Sequence, residues 1–206
     1  MARLIVPALA ALALLAGCAG GPGLGYYTLI QPGPRGVVQD RMVVTPGARW
    51  NRAPRGASDI EKEEDWTLNG PLLDSLTFIA GLEDGKRIVR QRSKADRKVP
   101  DFRSDMVPQD VAAMVETFYR VRAGASEFTL ASLKPRDFLG RPGFQFDYDY
   151  LGGDEVRRRG RAVGAIIEGR FYLALFDAAR MHYFDAGLPE FERLVDSARL
   201  GRRTAG

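Results

Sequence analysis

The stretch Phe144-Gln145-Phe146-Asp147-Tyr148-Asp149-Tyr150 constrains the fold more than any other part of the chain. Strict alternation of aromatic and polar residues has the period of a strand with one buried face. It sends Phe144, Phe146, Tyr148 and Tyr150 to one side and Gln145, Asp147 and Asp149 to the other. Arg141-Pro142-Gly143 turns the chain into this strand, and Gly152-Gly153 turns it out again. Val156 to Ile167 and Arg170 to Phe176 then read as a hairpin around Glu168-Gly169. Links of this kind are too short for crossovers, so the pairing they impose is antiparallel.

Further strands follow from similar patterns. Val37 to Thr45 reads as a strand stopped by Pro46-Gly47. Trp66 to Asn69 and Leu72 to Gly81 read as a pair around Gly70-Pro71, with Leu76, Phe78, Ala80 and Leu82 on one side, and Glu127 to Leu133 alternates again. Two helices stand out. Pro108 suits a first helical position, Asp110 suits the positive end of the dipole, and Val111, Met114, Val115, Phe118 and Val121 form one stripe before Gly124. In the second, Pro189 and Glu190 open the helix, Phe191, Leu194, Val195 and Ala198 form the stripe, and Gly201 closes it.

Strands, a helix, hairpin-linked strands and a C-terminal helix define an α+β fold, an antiparallel β-sheet with helices packed on its faces. This layout resembles the PsbP-like α/β/α sandwich, shared by the lumenal PsbP proteins of photosynthesis and by several bacterial lipoproteins. The resemblance covers about residues 37–200. It rests on the element order, on Phe144-Gln145-Phe146-Asp147-Tyr148 as the central strand, and on the closing Phe191-x-x-Leu194-Val195-x-Ser197 helix. A cystatin-like or lipocalin-like body is the alternative arrangement of comparable elements.

The N-terminus carries an address. Met1-Ala2-Arg3 gives a positive end, and Leu4 to Leu15 is an apolar run of twelve residues, which fits the core of an export signal and falls short of the ~20 needed to span a bilayer. Leu15-Ala16-Gly17-Cys18 follows and resembles the lipobox of bacterial lipoproteins. The resemblance implies removal of residues 1–17, acylation of Cys18 and anchoring in the lipid bilayer, because two or three acyl chains hold a soluble domain where one holds it marginally. Ala19 stands where an Asp commonly retains such proteins in the inner membrane, so the resemblance implies the outer membrane, facing the periplasm. Residues 18–36, with six Gly and three Pro between 20 and 36, read as a tether reaching at most about 60 Å. Within it, Tyr26 to Ile30 is β-prone and suits an edge strand. Residues 37–206 then read as one domain.

Composition removes several chemistries. Cys18 and His182 are each the only residue of their type, so neither an internal disulfide nor a Cys/His metal cluster can form, and no metal or cofactor is expected. Loss of Arg3 with the signal leaves a side-chain charge of +3, modest for nucleic-acid binding. Arg157, Arg159 and Arg161, with Arg158, could contact an anion or a partner. In antiparallel register they instead make a ladder, with Asp149 opposite Arg157 and Asp147 opposite Arg159. Asp147 and Asp149 share a face as an acid/base pair would, but neighbouring arginines depress both acids where a general acid needs one raised. His182 lies between the last strand and the last helix without a recognisable nucleophile. The sequence therefore predicts a non-catalytic envelope lipoprotein that binds, scaffolds or assists assembly through a protein partner. An envelope hydrolase using Asp147, Asp149 or His182 is the first alternative. A lipid or small-ligand carrier, with a cavity along the Phe144–Tyr150 face, is the second.

Overall fold

A computed structural model describes residues 26–91 and 99–201. In chain order its elements are β1 (Thr28–Ile30), β2 (Arg35–Val37), β3 (Met42–Val44), β4 (Trp50–Arg52), β5 (Glu63–Thr67), β6 (Asp74–Leu82), α1 (Pro108–Arg122), β7 (Glu127–Pro135), β8 (Phe144–Leu151), β9 (Arg157–Ile167), β10 (Arg170–Ala179), α2 (Tyr183–Asp196) and β11 (Arg199–Leu200). Successive hairpins join β7, β8, β9 and β10 antiparallel. β10 then pairs with β6, which brings β5, β4 and β1 into the same eight-stranded sheet, in the order β1-β4-β5-β6-β10-β9-β8-β7. A small sheet, β11-β3-β2, is built separately.

Each face of the large sheet has its own core, because residues two apart on a strand share a face. Phe144, Phe146, Tyr148 and Tyr150 pack with Leu173 and Leu175 beneath Val111, Val115 and Phe118 of α1. Val163, Ala165, Ala174, Phe176 and Ala178 face the opposite way, under Phe191, Leu194 and Val195 of α2, and Met42 and Val44 of the small sheet extend that layer. Antiparallel sheet with helices on its faces is the architecture read from the sequence. α1 begins at Pro108, as expected, with the Asp110 carboxylate accepting the Val107 N–H at 3.4 Å.

Elsewhere the structure corrects the sequence reading. Val37 to Thr45 is two strands of the small sheet, because Val38, Gln39 and Asp40 all take positive φ and reverse the chain between β2 and β3. Leu76, Phe78 and Ala80 share the α2 face, but Leu82 packs on the α1 face: Gly81 has φ +72° and the β6–β10 register shifts beside it. α2 starts at Tyr183, well before Pro189, which lies inside it and forgoes one intrahelical bond. The earlier turn is held by Phe184 and by Gly187, whose backbone lies so close to Phe176 that a Cβ would sit 2.6 Å from the ring. Gly201 does not close the helix either. Ser197 caps it, and Arg199–Leu200 then pair with β3. Tyr26 to Ile30 does supply an edge strand, β1, paired with β4, so sheet pairing begins within the expected tether.

Glu190 ties α2 to the loop before β4. One carboxylate oxygen accepts the N–H groups of Gly47 at 2.7 Å and Ala48 at 2.9 Å and the Trp50 indole N–H at 3.4 Å, while Arg193 donates to the other. Burial pushes this carboxyl up, but the Ala48, Arg193 and Gly47 bonds outweigh it and hold the group below its usual range. Replacing the charged acceptor weakens several bonds at once. Glu190→Gln is therefore expected to lower unfolding stability by about 1–3 kcal/mol in chemical denaturation.

Candidate functional site

Under the C-terminal end of α1 the sheet carries polar side chains in place of core. The placement follows from register. Tyr148 of β8, Gly160 of β9, Asp177 of β10 and Ser75 of β6 occupy one row across four strands. Gly160 leaves the gap that the Tyr148 ring fills: a Cβ there would stand 2.2–2.4 Å from the ring. The Tyr148 hydroxyl thereby lies 2.6 Å from the hydroxyl of Tyr119 in α1. Tyr119 donates to one oxygen of Asp177 at 3.0 Å, and Tyr150 donates to the other at 2.7 Å. Since Tyr119 gives its only proton to Asp177, Tyr148 is the donor between the two phenols.

This network is buried and closely packed. The Tyr119 and Tyr150 rings lie 4.5 Å apart. Burial raises the Tyr119 and Tyr148 hydroxyls well above the ordinary phenol range, with Asp177 adding to the effect. Burial likewise pushes the Asp177 carboxyl up to about 6, against the lowering pull of Tyr150, Tyr119, Arg158 and Arg122.

Beside it stands an ionic cluster. Arg122, in the last turn of α1, donates to Glu63 and, at 2.7 Å, to Asp65; the other Asp65 oxygen accepts the Thr77 hydroxyl at 2.6 Å. Two carboxylates on one strand thus share one guanidinium. Burial and the neighbouring Asp65 push Glu63 up to about 8, against Arg122. Burial also works against the charge of Arg122, but Asp65 and Glu63 outweigh it and fix the guanidinium in its charged form. On the far side Arg158 donates to Asp154 at 2.6 and 2.8 Å and to the Leu72 carbonyl at 3.1 Å. The Arg158 bonds hold Asp154 down at about 2.

Between these groups opens a cavity of about 390 Å³. Asp177, Tyr150, Ser75, Arg122 and Arg158 line its polar side, and Tyr27 and Leu72 also border it. Its ionic walls are braced by partners in the protein, so the cavity has a fixed polar shape with a ring of aromatic surface. That is the make-up of a recognition site for a small group or a protruding side chain.

Of the residues singled out in the sequence, Arg158 and Tyr150 reach this cavity, and the others lie elsewhere. The arginine ladder exists, two residues out of the expected register: Arg159 faces Asp149 at 3.2 Å and Arg161 faces Asp147 at 2.6 Å. Gly152 to Val156 form the loop, one position later than expected, with Glu155 at φ +61°. A two-residue shift between strands preserves the face, so acids and arginines still meet. Arg157 pairs instead with Glu127 at 3.0 Å, and Arg161 also reaches Glu192 at 2.8 Å. Burial pushes Asp147 up, but the Arg161 bonds prevail and hold it below the usual carboxylate range, the wrong direction for a general acid. His182 precedes α2, exposed and edge-on to Tyr183. Of the Phe144–Tyr150 face only Tyr150 reaches the cavity, because α1 covers the rest. Cys18 lies outside the described residues. Among those described, no group of His, Cys, Asp and Glu is arranged to hold a metal, and no helix is long and apolar enough to cross a membrane.

Asp177, Tyr119, Arg122, Glu63 and Asp65 escaped the sequence reading. One signal for Asp177 was present: a single acid inside the otherwise apolar run Phe171 to Ala179. Nothing local marks Arg122, whose partners lie 57 and 59 positions away.

An antiparallel sheet with one helix on each face, joined in this order, is the PsbP-like α+β fold. A solved structure supports that architecture: the chain is similar to the cyanobacterial PsbP protein CyanoP from Synechocystis sp. PCC 6803, with a TM-score of 0.53 at 17% identity, covering 89% of this chain and 98% of that one. A protein of unknown function from Pseudomonas aeruginosa, PA94, described as a putative regulator, aligns at a TM-score of 0.44 and 12% identity over 87% of this chain and 100% of that one. The chain matches no family model and no curated protein.

Proposed function

We propose that this chain is a lipid-anchored protein of the bacterial envelope whose body is a non-catalytic binding module, with the cavity beneath α1 as its recognition site. The observation that carries the reading is the bracing of that cavity. Arg122 and Arg158 are each held by acids, and the Asp177 carboxylate by two phenols. A site of this kind offers a preset surface for binding. The anchor supports the same reading, since Leu15-Ala16-Gly17-Cys18 confines the body to one membrane surface and raises its encounter rate with partners there.

The test has two parts. Mass spectrometry of the mature protein is expected to find an acylated N-terminal Cys18, with the protein floating with membranes. Cys18→Ser is expected to move the uncleaved or soluble chain out of the acylated pool and to abolish crosslinks to envelope partners that the native lipoprotein forms. An acyl-free mature N-terminus refutes the anchor. Crosslinks that survive Asp177→Leu, in a variant still folded by circular dichroism, refute the assignment of the cavity as the recognition site.

A further inference from the structure

We infer that the rim of the cavity, with Tyr26, Tyr27, Leu72 and Met181, is a bilayer-seating face that lies against the lipid headgroups when the protein is anchored. The inference rests on the lipoprotein reading above. Three observations carry it.

The first is apolar exposure gathered around one region. Leu72 is 76% exposed, Met181 100% and Tyr26 82%. Tyr27 and Leu72 border the same cavity. The Leu73 carbonyl accepts the Ala179 N–H at 2.9 Å, and the Arg157 carbonyl accepts the Arg180 N–H at 3.0 Å, so the turn before β6 and the segment leading to Met181 stand side by side at one end of the sheet. Large aliphatic side chains held in water gain by entering an apolar phase, and tyrosine rings suit the headgroup level, where one end is apolar and the other wet.

The second is reach. Eight residues separate Cys18 from Tyr26, which at full extension span about 29 Å. The opposite sheet edge, β7, is seven strand spacings from β1, roughly 34 Å at the usual ~4.8 Å per spacing. Leu130 on β7 is also exposed, at 42%. The tether joins the body beside Tyr27, so Tyr27, Leu72 and Met181 lie nearest the anchor, and a body standing on its β7 edge would lift Tyr26 beyond the tether's span.

The third is local charge. At this end Asp154 and Glu127 are matched by Arg158 and Arg157, and the exposed acids Glu155 and Asp185 leave no net positive charge to draw the face to anionic lipid. Arg180, exposed beside Met181, adds a long side chain that can lay its stem on apolar surface and keep its charge at phosphate level. Attraction to the bilayer is therefore mainly apolar. Seating in this orientation turns the cavity mouth toward the membrane surface.

Cys18 is the only cysteine, so once acylated it leaves an introduced thiol as the single labelling site. Leu72→Cys, Met181→Cys and Leu130→Cys, each in the mature lipoprotein, are labelled with an environment-sensitive fluorophore. The proteins are then reconstituted in vesicles of phosphatidylethanolamine and phosphatidylglycerol. Labels at 72 and 181 are expected to emit at shorter wavelength than the label at 130 and to be quenched by nitroxide-bearing lipids. Both effects are expected to persist at 1 M salt, where screening acts over about 3 Å. Equal, water-like emission at all three positions in protein that floats overturns the seating face and leaves the anchor standing. Equal quenching at all three overturns it too, as does loss of the effect at high salt. Protein that fails to float overturns both readings.

Discussion

Arg122→Met is expected to destabilise the protein by roughly 3–5 kcal/mol, the cost of leaving a buried charge without its partner. Glu63 and Asp65 are both buried, and Arg122 is the guanidinium that bonds to each. Glu63, pushed up to about 8, already holds a proton near neutral pH, so removing Arg122 strands the Asp65 carboxylate where water is scarce. The Arg122 guanidinium also lies over the Phe118 ring at 5.2 Å, so packing is lost with the charge. These contributions separate in a second variant. Asp65→Asn in the Arg122→Met background removes the stranded charge and is expected to recover part of the loss, whereas a packing defect would be unaffected. The measurement is urea denaturation of the full chain carrying Cys18→Ser, near neutral pH. A loss below about 1 kcal/mol, the range of exposed ion pairs, would show that water reaches the cluster and screens it.

Local rules served well wherever one strand or helix decides its own fate. The alternation from Phe144 to Tyr150 fixes which side chains meet α1, and Pro108 marks the start of α1, because period and capping act within a few residues. They failed where distant packing competes. Pro189 looks like a helix start, but Phe184 and Gly187 bury the preceding turn on Phe176, and that burial outweighs the one lost backbone bond. Val37 to Thr45 has the residues of one long strand, yet three successive positive φ angles fold it into a hairpin, with the Val38 N–H donating to Glu64 at 2.9 Å from another strand. The candidate site was the least legible part. Its members come from β5, β6, α1, β8, β9 and β10, and only the β8–β9, β9–β10 and β10–β6 registers bring Tyr148, Gly160, Asp177 and Ser75 into one row. The arginine run drew attention because it is contiguous, while the lone Asp177 in an apolar strand was the more informative break in pattern.

Stability is expected to fall with rising pH through the titration of Asp177, and Asp177→Asn isolates that effect. Burial pushes the Asp177 carboxyl from 3.8 up to about 6. A folded-state value above the unfolded one means that the native protein binds the proton more tightly. The stabilisation is complete below about pH 3.8 and is lost as pH rises through about 6, some 3 kcal/mol in all at the usual conversion. Asp147 and Glu190, held low by their partners, give the opposite slope under acid conditions, and Glu63 adds a similar decline at higher pH. All three are present in both proteins, so they cancel in the difference between wild type and Asp177→Asn. The stability of wild type minus that of Asp177→Asn should fall as pH rises from about 4 and level off above about 7. The amide NH2 and the OH of the protonated carboxyl each place a donor beside a phenol, so the two proteins bond alike in acid, and Asp177→Asn gains on wild type as the buried carboxylate ionises. A difference independent of pH would mean that Asp177 ionises as it does in water. In that case the phenols surround a hydrated carboxylate, and the cavity floor lacks the fixed, buried geometry on which recognition there depends.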